Sequence, residues 1–125
     1  MIVERTRSLL PEFAAIVGHH SHTPQPISAF KGSDGLVRPV AYSLGNFCCG
    51  TALSRYCYGQ ILKLDLGRTA DGAWSVGRLA WAFLQSTHSA DTVHVGLCDD
   101  VPHFERMPVP NIQSHSGVVT PKHRD

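Results

Sequence analysis

Three histidines fall within four positions in the stretch Gly18-His19-His20-Ser21-His22. Imidazole is a good ligand for divalent transition metals, and much of the histidine population is neutral at physiological pH. Side chains on an extended segment point the same way at every second residue, so His20 and His22 are expected on one side. Two imidazoles converging from one short segment can each bind one metal of a dinuclear site. Metals about 3.5–4 Å apart can clamp a phosphate and generate a hydroxide nucleophile. Imidazole suits zinc, iron, manganese or nickel, and the sequence does not choose among them. The alternative is a solvated turn that carries three histidines and binds nothing.

The elements on either side decide how such a cluster is presented. Phe13-Ala-Ala-Ile-Val17 is a short apolar run closed by Gly18, and it reads as a strand buried on both faces, as in an α/β sheet. It delivers the histidines to its C-terminal end, where ligands bind in open α/β sheets. Before it, Ile2 to Leu10 follows helical spacing up to Pro11. After it come a short strand over Ile27–Phe30, a turn over Lys31–Gly35, and a strand over Val40–Leu44. Gly45-Asn46 closes that strand, a pair that tolerates positive φ. Tyr58 to Leu66 alternates apolar and polar residues. With Ala70-Asp71-Gly72 as the turn and Trp74–Phe83 as its partner, it forms an antiparallel hairpin. From Asp99 onward Pro102, Pro108, Pro110 and Pro121 break regular structure. The expected organisation is one α/β domain over residues 1–98 and an extended tail over 99–125.

Composition narrows the function classes. The 125 residues carry a net charge of +1 with scattered basic residues, so the basic stripe of a nucleic-acid binder is missing. No apolar run approaches the roughly 20 residues that span a bilayer. Met1 to Arg7 lacks the apolar region of a secretory signal, and the chain reads as soluble. Cys48, Cys49, Cys57 and Cys98 contain no CxxC pair and read as buried or half-buried side chains rather than zinc ligands. His88, His94, His103, His115 and His123 are irregularly spaced and are not expected to be ligands. Trp74 and Trp81 are expected to pack, Tyr42 and Phe47 to lie in the core, and Lys31 to be an exposed turn lysine.

Two familiar settings for H-x-H do not fit. An amidohydrolase barrel needs about 250 residues, and a histidine-triad hydrolase needs a histidine where Pro24 stands. A third setting does fit. Ile16-Val-Gly-His-His-Ser-His22, then Gln25-Pro-Ile27, Lys31-Gly32 and Tyr42-Ser-Leu-Gly-Asn-Phe47 resemble the CapA (poly-γ-glutamate capsule synthesis) family. Its pattern is close to V-I-G-H-H-P-H-V-x-Q, a strand ending in Lys-Gly, and Y-S-L-G-N-F. The resemblance covers roughly residues 12–66. It implies the C-terminal part of a calcineurin-like metallophosphoesterase domain, a fold of two packed sheets with helices outside. It further implies that His20 and His22 ligate a divalent metal pair (manganese, zinc or iron). On the same resemblance His19 faces substrate or braces a ligand, and Asn46 bonds substrate or orients a ligand; these two are the candidate catalytic groups.

The departures from the family matter as much. Ser21 stands where the family has proline, which should loosen the turn. Cys48-Cys49-Gly50 replaces an apolar, often acidic continuation. The family's early Asp, Gly-Asp and Asn-His ligands have no counterpart here, and Asp34, Asp65 and Asp71 do not match them. The resemblance therefore implies a hydrolase family without deciding whether this chain alone is an enzyme. The alternative is a non-catalytic remnant or a partner-dependent binding module. The implied partners are an N-terminal half with the missing ligands and, by family association, polyglutamate. Relatives are often membrane-anchored and extracytoplasmic.

Overall fold

The computed structural model describes residues 2–99 and 117–119. Helix α1 (Ile2–Leu9) leads into a 3-10 turn over Leu10–Glu12, whose second residue is the proline expected to end the helix. Pro11 fits the first turn of such a helix because its missing N–H would have no partner there. Leu10 is the residue this turn buries.

The first sheet contains β1 (Ile16–Val17), β2 (Ile27–Lys31) and β3 (Val37–Ala41) in the order β1-β3-β2. β2 and β3 are an antiparallel hairpin, whereas β1 runs parallel to β3 through Ile16–Val40 and Val17–Ala41. The strand expected over Phe13–Val17 is thus only two residues long, and it is not buried on both faces. Phe13 is 53% exposed and Val17 44%. Two features of β3 account for this. Pro39 has no N–H to offer a ladder, and the β1 pairing begins one residue later at Val40. The Phe13 carbonyl is meanwhile taken by Nε of Arg38 at 3.0 Å, so it has no need of a strand partner.

The second sheet is built on the expected hairpin. β4 (Tyr58–Arg68) pairs antiparallel with β5 (Trp74–Ser89), with a bulge at Asp65/Leu66. Two strands were not expected. β6 (Thr92–Cys98) pairs with the C-terminal half of β5, and β7 (Gly117–Val119) pairs with Leu79–Trp81. β7 falls within the stretch read as tail, while His103, His115 and His123 lie outside the described residues. Among the described residues there are one short helix and two sheets, a mostly β fold, so the α/β expectation holds only loosely. Among the described residues no helix is long and apolar enough to cross a membrane.

The core lies between the sheets. Ile27 and Ala41 from the first meet Leu79, Trp81 and Phe83 from β5, with Leu62 and Leu64 of β4 packed against them. Trp81 packs as expected, but Trp74 is exposed beneath the guanidinium of Arg68, 4.7 Å from its ring centre. Phe47, expected in the core, is 66% exposed. Residues 44–46 sew the sheets together. Leu44 bridges to Pro24, Gly45 bridges to Gly59, and Gln60 N–H donates to Leu44 O at 2.8 Å.

Candidate functional site

The backbone of the first sheet continues past β1 by two hydrogen bonds. Gly18 N–H donates to Ala41 O at 2.7 Å, and Leu44 N–H donates to Gly18 O at 3.2 Å. Only glycine fits here, since a Cβ would run into the Tyr42 carbonyl oxygen. The chain then leaves extended geometry. His20 has φ 102° and His22 φ 58°, left-handed values that cost non-glycine residues energy and cluster at functional sites. The histidines do follow a strand end, but they sit on a turn, so strand alternation does not set where they point. The loosening expected from Ser21 is offset by its side chain. Its hydroxyl donates to Thr23 O at 2.9 Å.

The turn places His22 beside Asn46. Nδ1 of His22 lies 2.8 Å from Oδ1 of Asn46. The orientation of that amide is set from its other end, where Nδ2 donates to Tyr56 O at 3.0 Å. The oxygen is therefore the atom that faces His22, and the bond requires the imidazole hydrogen on Nδ1. In the neutral ring Nε2 then carries the lone pair. The ring also meets Tyr56 edge-on, with centroids 6.2 Å apart and planes at 77°.

Asn46 reaches this position because of its neighbours. Gly45 adopts φ 68°, as the glycine of a tight turn can. Asn46 N–H donates to Tyr58 O at 3.4 Å. At Gly59 a Cβ would overlap the Asn46 carbonyl, so the close approach of β4 depends on glycine. Beneath the site the buried Gln60 donates through Nε2 to the carbonyls of Gln25 and Ser43, both at 2.9 Å. One side chain thus ties the segment after the histidines to the segment before Asn46. Tyr42 carries a buried hydroxyl with no hydrogen-bond partner among the described residues, and burial pushes its pKa up.

Of the sequence candidates, the structure brings together His22 and Asn46. His19 and His20 are exposed and form no hydrogen bond among the described residues. Tyr56, which braces both His22 and Asn46, was missed; it lies in a 3-10 turn with no motif to mark it. Lys31 is exposed at the opposite end of β2, beside a cleft of about 330 Å³ lined also by Arg7, Phe30 and Arg38. Among the described residues, no group of three or more His, Cys, Asp and Glu side chains could hold a metal ion. The donor set fits a metal only in part, with one imidazole oriented and presenting Nε2. Compared with known proteins, the chain matches no family model, no curated protein and no solved structure.

Proposed function

We propose that this chain is the late-motif segment of a CapA-like, calcineurin-type metal-dependent phosphoesterase linked to poly-γ-glutamate capsule synthesis. In this reading His20 and His22 are ligands of a divalent metal pair, and Asn46 holds His22. The observation that carries the reading is the Asn46–His22 hydrogen bond. Metal-binding histidines characteristically donate their second ring N–H to an oxygen that fixes tautomer and ring angle, and His22 has that partner in place. The backbone strain at His20 and His22 adds weight, because such strain persists where the surroundings hold a functional geometry.

Two histidines are a weak site alone, since a metal pair that hydrolyses phosphoesters needs more protein ligands and a substrate position. The described residues do not supply them, so no hydrolytic step is assigned to this chain acting alone. The second reading is a truncated, non-catalytic remnant or a partner-dependent binding module.

Calorimetric titration of zinc and manganese into the chain tests the ligand assignment. Weak binding that disappears in both His20→Ala and His22→Ala is expected, with no hydrolysis of a generic phosphodiester. Binding unchanged in both variants overturns the assignment. Tight uptake of two metals per chain overturns the partner-dependent reading.

A further inference from the structure

Two thiols outside the histidine site are brought to one carbonyl oxygen. Sγ of Cys49 lies 3.2 Å from Thr51 O, and Sγ of Cys57 lies 3.3 Å from the same atom. Both residues are buried, and neither is in a disulfide. A single residue of β5 holds both backbones. Cys49 N–H donates to Oγ of Ser86 at 3.3 Å, and Ser86 N–H donates to Cys57 O at 2.7 Å. Two residues further along the strand, Nε2 of His88 sits 2.7 Å from Cys49 O. The thiols are therefore gathered by a strand remote in sequence, and the loop between them does not have to do it. Burial first, and then the neighbouring Cys49 thiol, push the Cys57 pKa up.

We propose that Cys49 and Cys57 are a redox-active dithiol, oxidised by a small-molecule disulfide to an intramolecular disulfide that ties down the loop carrying Tyr56. One cysteine thiolate attacks the small disulfide, forms a mixed disulfide and releases one small thiol. The second thiolate displaces the other small thiol and closes the Cys49–Cys57 bond. Two electrons pass from the cysteines to the small disulfide, and the two cysteine protons leave on the two small thiols. The consequence reaches the histidine site because Cys57 follows Tyr56, whose carbonyl holds the Asn46 amide. The dithiol does not depend on the metal reading, since its test reads thiols alone.

The native chain is equilibrated in buffers of reduced and oxidised glutathione, with and without urea, and free thiols are trapped by alkylation. Trypsin cuts after Arg55, between the two cysteines, so a disulfide keeps two peptides joined in the digest. The joined pair is expected in the native chain and in Cys48→Ser, with fragment ions that place the bond at Cys49. Its equilibrium constant against glutathione is expected to be at least about tenfold higher in buffer than in urea, because the fold supplies the effective concentration. An equal or lower constant in buffer, or a bond that moves to Cys48 or Cys98, overturns the proposal.

Discussion

Asn46 and His22 are 24 residues apart in the chain and 2.8 Å apart in space, with the amide oxygen turned toward the imidazole by Tyr56. This relationship dictates a protonation pattern. In the neutral ring the hydrogen belongs on Nδ1, whereas free histidine prefers no such arrangement. Nitrogen NMR of the labelled chain should show the Nδ1–H tautomer for His22. Asn46→Ala should return the ring to a mixture, and an unchanged tautomer in that variant would rule the bond out.

Gln60 carries the support beneath this pair. Replacing it by leucine removes two hydrogen bonds and leaves the Gln25 carbonyl buried without the donor it has now. The cost of such a loss is about 1–3 kcal/mol. Urea denaturation of Gln60→Leu should show a drop in that range with an unchanged slope. A shift in the midpoint too small to measure would mean the two segments are held otherwise.

The turn itself should be improvable at the expense of its chemistry. His20 at φ 102° pays a penalty that glycine avoids. His20→Gly is expected to raise stability by about 1 kcal/mol, read as an increase in Tm, while weakening any zinc binding. His20→Ala keeps the strain and should give no such gain. If both variants destabilise equally, the backbone at this position is not strained.

A pH dependence follows from the other end of the first sheet. Asp34 accepts hydrogen bonds from both terminal nitrogens of Arg38, one at 2.9 Å, and from Leu36 N–H at 3.0 Å. The Arg38 bonds first, and the Leu36 N–H second, lower its pKa from 3.8 to about 2. A folded-state pKa below the unfolded value means the carboxylate binds its proton less readily in the native chain. Its stabilising contribution is present above about pH 4 and is lost as the pH falls through about 2. Tm measured from pH 5 to pH 2 should fall less steeply in Asp34→Asn than in the native chain. Parallel curves would show that this half-buried pair contributes nothing.

The parts of this fold that were legible in the sequence are those where local pattern and burial agree. The β4–β5 hairpin is one, since Leu62 and Leu64 alternate with Lys63 and Asp65 and a Gly-containing turn follows. β6 escaped notice for a definable reason. Its turn places Ala90 at φ 49°, a position where glycine or asparagine would have signalled a hairpin. Phe13 and Val17 misled in the opposite sense, because apolar residues on an exposed edge look the same in sequence as those in a core. For the site, the histidines and Asn46 could be named from the resemblance. The contact between His22 and Asn46 could not, because beyond the Gly45 turn it depends on Gly59 and the Tyr56 carbonyl, neither of which has a local pattern.

β5 outruns each of its neighbours, and both of its long sides are occupied where it crosses the core. β4 covers one side, while β6 and the three residues of β7 share the other. Those three residues act as a stopper on a row of backbone groups that would otherwise be open to any passing strand. A form of the chain ending before Gly117 would expose the row at Leu79–Trp81. Such a form should self-associate as its concentration rises, by copies adding edge to edge.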